Sequence, residues 1–372
     1  VSGKGWVPSI HVGGFGLGKR HRRRRIQAGQ STGRIDGKVI IAVMNKRDKS
    51  VGVAVIGVTG YGASHVDAIV AVQGMGLCRW VAACDRNPAA LASQQTLLDE
   101  HRVERYDDLD AMLSAVRGRV RLIGVPVGSP YHAELRIRCM EAGFHVLCEK
   151  PPAPTIQEVD AMIEASERTG MTCQIGFQRS WTREFLGMRE VIRAGRIGAI
   201  KAIRIGGWWK RADTYYARNA WAGRLKHQGR WVLDGTINNP FAHQIQAALH
   251  LVSMEDGPTT PVRVKAELYR CRDITGDDTS CVAIETANGA TIHSYLTLCA
   301  ERPDQGPIHF IIEGERGVIE TVDGQMPRVT PADGQAFEIE AGPENQRWSP
   351  YADTCRYLAD GAPPLRCPVA WT

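Results

Sequence analysis

Three groups of residues in this 372-residue chain have types and spacings suited to chemistry. The first is Gly57-Val58-Thr59-Gly60-Tyr61-Gly62, set where a short apolar run meets a helical pattern. Backbone N–H groups at such a junction bind the pyrophosphate of a dinucleotide when small residues let it approach. The usual spacing has glycine where Thr59 stands, and Gly60 beside it keeps the loop close to the phosphates. Asp85 lies 23 residues beyond Gly62, at the end of the next apolar run. A carboxylate there accepts hydrogen bonds from an adenosine ribose, whereas the adjacent Arg86 suits a 2'-phosphate, so NAD and NADP are both open. Asp85 also reads as a helix N-cap ahead of Pro88. The second group is Asn239, His243, Gln246 and His250, which fall within about 60° of one another on a helix, with Ala242, Ile245, Leu249 and Val252 broadly opposite. That stripe is expected to face something wet. Asn239 followed by Pro240 also fits an N-cap with proline at N1.

The third group lies between Trp208 and Trp231. Trp208, Trp209, Trp221 and Trp231 share this span with Tyr215 and Tyr216, and with Lys210, Arg211, Arg218, Arg224, Lys226 and Arg230 against the single acid Asp213. Aromatic faces stack on sugar rings and basic groups bind carboxylate or phosphate, which suits an anionic sugar derivative. Trp, Tyr and Arg are equally the residues of a subunit interface. Both readings stand at this point.

These residues need a scaffold, and the patterning supplies one. Val51–Ile56 is a buried-strand run ending in glycines, followed by a helix from about Ala63. Strands at Trp80–Cys84, Val120–Val125 and His145–Cys148 alternate with helices at Pro88–Glu100, Asp107–Val116 and Tyr131–Ala142. Such alternation predicts a doubly wound parallel α/β sheet over 51–175. Lys150, at the carboxyl end of its strand, then faces the crevice where such sheets bind ligands. From about Gly176 the pattern changes. A helix near Arg183–Arg193, a strand at Ile200–Trp208 and a helix at about Pro240–Val252 precede β-like segments at Val262–Tyr269, Thr279–Thr286, Thr291–Leu298, Ile308–Glu313 and Val318–Thr321. A second α/β domain with a largely antiparallel sheet is expected over 176–372.

Charge is unevenly distributed. Residues 1–50 hold twelve Lys/Arg and two Asp/Glu, a net +10, whereas 51–372 carry a net −4. The basic stretch around GKRHRRRR is Gly-rich without hydrophobic periodicity, which predicts a disordered arm over 1–50. No aromatics interleave with its arginines, so nucleic-acid binding is not expected. Met44 is a candidate start of translation, because periodic structure begins after it. No run of about 18 apolar residues occurs, which predicts a soluble, cytoplasmic protein without a membrane partner. The ten cysteines include no CxxC pair, so they are expected to be reduced and mostly buried, with no metal site.

At Glu149-Lys150-Pro151 the chain resembles the glucose-fructose oxidoreductase, inositol dehydrogenase and MocA (Gfo/Idh/MocA) family. VAVIGVTGYGASH, IGVPVGSPYHAELRIRCMEAGFHVLCEKP, GFQRSW and RAGRIGAIKAIR are similar to that family in order and spacing. The resemblance implies a Rossmann domain, a C-terminal α/β domain with an open antiparallel sheet, and hydride transfer between NAD(P) and a carbinol carbon of a sugar, polyol or cyclitol. It implies that Gly57, Thr59, Gly60, Tyr61, Gly62, Asp85, Arg86, Glu149 and Lys150 border the cofactor. Lys150 becomes the lysine that hydrogen-bonds the reacting oxygen, and His243 the base that takes the alcohol proton. Asn239 joins the catalytic group where the family has an aspartate, and an amide there can orient the imidazole without charging it. Self-association through the C-terminal sheet is also expected. An enzyme using held NAD for a transient oxidation in a hydrolase or lyase reaction, and a non-catalytic NAD(P)-binding sensor, are the competing readings.

Overall fold

The computed structural model describes residues 49–301, 306–340 and 347–372. The expected basic arm and Met44 lie outside these residues.

The chain opens with β1 (Val51–Ile56), α1 (Tyr61–Gly74), β2 (Cys78–Cys84), α2 (Pro88–Ser93), α3 (Gln95–Glu100), β3 (Glu104–Tyr106), α4 (Leu109–Ala115), β4 (Leu122–Val125), α5 (His132–Glu141), β5 (His145–Cys148), α6 (Ile156–Thr169) and β6 (Cys173–Ile175). The six strands pair in parallel in the order β3-β2-β1-β4-β5-β6. Every residue of β1 and β4 is buried, because helices cover both faces. The order reverses between β1 and β4, and the crevice beyond their carboxyl ends is where a doubly wound sheet binds its ligands.

The second half begins with α7 (Arg183–Arg193) and β7 (Ile200–Trp208), then α8 (Asp213–Ala217), a short ribbon of β8 (Lys226–His227) and β9 (Arg230–Trp231), and α9 (Ala242–Val252). β10 (Pro261–Tyr269), β11 (Thr279–Thr286), β12 (Thr291–Thr297), β13 (Ile308–Gly314), β14 (Gly317–Val322), β15 (Arg328–Pro331) and β16 (Phe337–Glu338) complete an eight-stranded sheet in the order β10-β11-β12-β7-β13-β14-β15-β16. Only β7 and β12 run parallel in it. Ile203, Ile205, Ile292 and Ile312 meet Phe241, Ala247, Ala248 and Leu251 in one core, so α9 is held on one face of this sheet.

Several expected bounds shift. The helix expected over Pro88–Glu100 divides at Gln94 into α2 and α3. α9 begins at Ala242, not Pro240, and its N-cap residue is Phe241, so Asn239 caps nothing. α6 lay outside the sequence reading, although Thr155 and Glu158 form a reciprocal capping box at its start. The chain then returns. α10 (Ser349–Asp360) inserts Tyr351, Ala352, Cys355 and Leu358 among Val51, Val53, Leu122 and Leu147 of the parallel sheet, and Cys367 and Val369 join the core on its other face. All ten cysteines are free thiols, seven of them buried. No described helix is long and apolar enough to cross a membrane.

Candidate active site

A cleft of about 1160 Å³ runs from the β1–α1 loop to α9. Single small-molecule sites span roughly 300–1000 Å³, so this one has room for a dinucleotide with a second ligand. Its lining includes Gly57, Thr59, Gly60, Tyr61, Asp85, Arg86, Glu149, Lys150, Asn239 and His243. Gly62 lies just behind, buried, where an added Cβ would sit 2.5 Å from the Gly57 carbonyl oxygen. Gly60 takes φ 60° and ψ −125°, a conformation open only to glycine, and no side chain caps the helix it starts. The Gly62 and Ala63 N–H groups turn back onto the carbonyls of Thr59 (2.9 Å) and Gly60 (3.3 Å), so the loop is a tight turn at the start of α1 with no side chain over it, which leaves room for a pyrophosphate to approach the positive end of the helix. Asp85 accepts from the Val58 N–H at 3.4 Å and the Asn87 N–H at 3.0 Å. Asn87, not Asp85, caps α2, through Ala89. The Arg86 guanidinium lies 5.4 Å from the centre of the Tyr131 ring.

Lys150 follows β5, and the loop that carries it is gripped from α5. Arg136 and His132 are one helical turn apart, so they share a face. Arg136 is fully buried and donates to the carbonyls of Glu149 (2.6 Å) and Pro152. His132 lies between the carbonyls of Pro151 (2.7 Å) and Val127 (2.8 Å), and a neutral ring donates to one of them. Burial, and then the Arg136 charge, push His132 down to about 3. Glu149 is turned inward: its Oε1 meets His65 Nε2 at 3.0 Å and accepts from Gln178 at 2.9 Å, and His65 Nδ1 in turn meets the Tyr351 hydroxyl at 2.8 Å. Burial is the largest influence and would raise the Glu149 carboxyl, but the hydrogen bond and charge of His65 together with the charges of Lys150 and His243 turn the net shift downward. None of His65, His132, Arg136, Gln178 and Tyr351 was singled out from sequence. The i, i+4 pair His132 and Arg136, polar on a face that packs inward, was the available signal.

The Lys150 ammonium donates to the Asn239 carbonyl at 2.8 Å and to Asn239 Oδ1 at 2.9 Å. Asn239 Nδ2 donates to Asp234 Oδ1 at 2.8 Å. Both bonds of the Asn239 side chain are therefore spent on Lys150 and Asp234, and the amide does not orient the imidazole as expected. His243 packs edge-on to Phe177, 5.7 Å between ring centres, and its Nδ1 is buried without a hydrogen-bond partner. Burial, and then the Lys150 charge, push the imidazole down to about 3, so it stands neutral and its basicity is low. Lys150 is also pushed down by burial, against the opposing pull of Glu149 and Asp234. The wet stripe is otherwise corrected. Gln246 is 7% exposed, bonded to Ser180 and Cys367, and His250 is 1% exposed beside Trp371, because α9 is covered on that side by the chain's return.

The aromatic and basic stretch divides. Trp209, Arg211, Tyr215, Arg218, Trp221 and Arg230 line the cleft. Arg218 lies 3.6 Å from the centre of the Tyr215 ring, and Arg230 is paired with Glu134 at 2.8 Å. Trp208 instead stacks on His309 outside it, and Arg224, Lys226 and Trp231 border a separate shallow depression. Away from the cleft lining, Cys271, Asp278 and Cys299 bring potential ligand atoms within 4.8 Å of one another, but Arg272 donates to Cys299 Sγ at 3.1 Å and its charge opposes a cation there.

The chain matches two family models. Residues 51–177 match the oxidoreductase family, NAD-binding Rossmann fold, and 185–320 match the GFO/IDH/MocA C-terminal domain. Together they span most of the sequence, and the chain belongs to the Gfo/Idh/MocA oxidoreductase family. Among curated relatives, inositol 2-dehydrogenase of Streptomyces avermitilis is 27% identical over 65% of this chain and 64% of its own length. Myo-inositol 2-dehydrogenase of Thermotoga maritima is 38% identical over 31% of each chain. The chain thus matches less than two thirds of the length of these relatives. Among solved structures, the WlbA dehydrogenase of Bordetella pertussis, in complex with NADH and UDP-GlcNAcA, superposes with a TM-score of 0.70 at 21% identity, covering 86% of this chain and 91% of that one. That likeness is one of fold.

Proposed function

We propose that this protein is an NAD(P)-dependent dehydrogenase that oxidises a carbinol carbon of a sugar, polyol or cyclitol, with a preference for an anionic derivative. The observation that carries the reading is the convergence of the Lys150 ammonium and the neutral His243 imidazole on the cleft that also opens onto the uncapped start of α1. Bound nicotinamide would supply the hydride acceptor, held by the Gly57–Gly62 loop at its pyrophosphate and by Asp85 or Arg86 at its adenosine ribose. Lys150 uses two of its three N–H groups on Asn239, leaving one to donate to the reacting oxygen and stabilise the charge that grows there. His243 accepts the hydroxyl proton. Arg211 and Arg218, in the same cleft beside Trp209, Tyr215 and Trp221, suit a carboxylate or phosphate on a ring that stacks against the aromatic faces. The two named relatives act on inositols, which are ring polyols.

The test is to titrate NAD and NADP and then follow formation of reduced cofactor with inositols, aldoses, uronates and sugar phosphates. Net reduction by at least one of these, with lower KM for the anionic member of a matched pair, is expected. Cofactor that binds but is never reduced by any member would overturn the dehydrogenase reading in favour of a sensor or a transient oxidation.

A further inference from the structure

The side chain of Asn239 is fixed in one orientation by its two partners. An ammonium only donates and a carboxylate only accepts, so Oδ1 faces Lys150 and Nδ2 faces Asp234. Asp234 is 5% exposed, and its second oxygen accepts from the Gly223 N–H at 2.6 Å. Gly223 ends the stretch that carries Arg218 and Trp221, and its carbonyl accepts from Thr275 and Gly276 at 2.9 Å each. A buried carboxylate therefore touches the polypeptide at two places that matter: the amide holding Lys150 and the base of the substrate-facing arm.

We infer that Asp234 is a positioning residue that supplies, at one remove, the negative charge that position 239 lacks, acting on Lys150 through the Asn239 amide. The inference rests on the dehydrogenase reading only for its kinetic consequence. A carboxylate in direct contact with the ammonium would compete with the reacting oxygen for its protons. Relayed through an amide, the same charge favours the protonated lysine while contact is made by a neutral oxygen. The charged groups around this pair are Glu149, Arg211 and Arg218 besides Lys150 and Asp234 themselves, and the titratable ring of His243 in α9 also interacts with Lys150. Burial raises Asp234, and the bonds from Gly223 and Asn239 oppose that rise, as does the charge of Arg218 and Lys150.

The experiment compares wild type, Asp234→Asn, Asn239→Asp and the double exchange Asp234→Asn/Asn239→Asp. Lys150 is titrated by NMR on carbon-labelled lysine, assigned with Lys150→Arg, and kcat and KM are measured across pH with the best substrate of the panel. Asp234→Asn is expected to lower the Lys150 titration by about one pH unit, the size of effect of one nearby opposite charge. It should move the alkaline limb of kcat down with it and lower kcat about tenfold, the rate equivalent of roughly 1.4 kcal/mol, while cofactor affinity holds. Asn239→Asp, which replaces the Nδ2 donor to Asp234 with a second carboxyl that must share a proton with it, brings negative charge into direct contact with the ammonium and should raise the Lys150 titration. The double exchange should return it to the wild-type range. An unchanged Lys150 titration in Asp234→Asn, or a double exchange no closer to wild type than Asp234→Asn alone, overturns the inference. The titration needs no turnover, so a protein that reduces no cofactor with any substrate would refute the dehydrogenase reading and leave this result to stand or fall by itself.

Discussion

The two ends of the cleft are built from different material. At the nucleotide end the phosphate-facing part is backbone within one strand–loop–helix unit, with Asp85 and Arg86 beside it at the end of β2, and what matters about Gly60 and Gly62 is the side chain they lack. At the other end the groups are side chains, and they come from the end of β5, from the loop before α9 and from the arm after β7. A backbone site is therefore sensitive to bulk and indifferent to most charges around it. A convergent side-chain site is sensitive to the loss of any one charge, and each member is held by neighbours that never face the ligand.

If that contrast holds, the two ends separate in kinetics. The largest effect is expected from Lys150→Ala, which should lower kcat at least about a hundredfold, as removal of an electrostatic stabiliser does, with cofactor affinity retained. Equal loss of both, read by cofactor titration beside turnover, would merge the two ends into one unit. Gly62→Asp should do the reverse, weakening cofactor binding by roughly tenfold to a hundredfold, as expected of about 1–3 kcal/mol of overlap against the Gly57 carbonyl. Fluorescence titration that shows wild-type affinity would remove the loop from the cofactor site. Arg218→Ala should raise KM for an anionic substrate about tenfold and leave kcat and the neutral analogue nearly unchanged, the pattern of lost uniform binding. A fall in kcat with unchanged KM would assign the arginine to the reacting centre.

The smallest effect extends the comparison to stability, because each half of the chain packs a histidine that burial holds well below its ordinary value. Burial holds His132, in α5 against the loop that carries Lys150, at about 3 and His250, in α9, at about 4. Their folded values lie below the unfolded value of about 6.5, so the unfolded chain binds more protons below that pH. Their contribution to stability is complete above about pH 6.5 and is lost as the pH falls toward 4 and then 3. The thermal midpoint should fall over this range, and His132→Gln and His250→Gln should each flatten the fall. A slope unchanged in both variants would show that neither ring stays neutral in the fold.

This division also explains what the sequence disclosed. Gly57 to Gly62 was legible because a backbone turn writes itself into glycine spacing over one local unit, and Asp85 through its place at the end of the next strand. Lys150 and His243 were legible through position on a strand end and a helix face, together with the family resemblance. Asp234 was not, because nothing at position 234 marks it until the chain folds and sets it against Asn239. Arg136 and His132 were similarly hidden, since their partners are carbonyl oxygens, which every residue carries. The polar stripe misled at Gln246 and His250 because periodicity identifies a face but not what covers it, and the cover comes from Ser180 and from Cys367 and Trp371 near the end of the chain. α6 was missed although its capping box and amphipathic pattern were present to be read.

The return of α10 to the parallel sheet has a consequence for how the protein is made. A ribosome delivers the six parallel strands first and the helix that seals Val51, Val53, Leu122 and Leu147 some 170 residues later, after β16 has emerged. In the interval the eight-stranded sheet, contiguous in sequence from β7 to β16, can close on α9 while the strip of the earlier sheet beside α1 that α10 will cover is still open to water. The half of the molecule synthesised first is thus the half finished last, and the nascent chain carries an exposed aliphatic surface through most of its own translation.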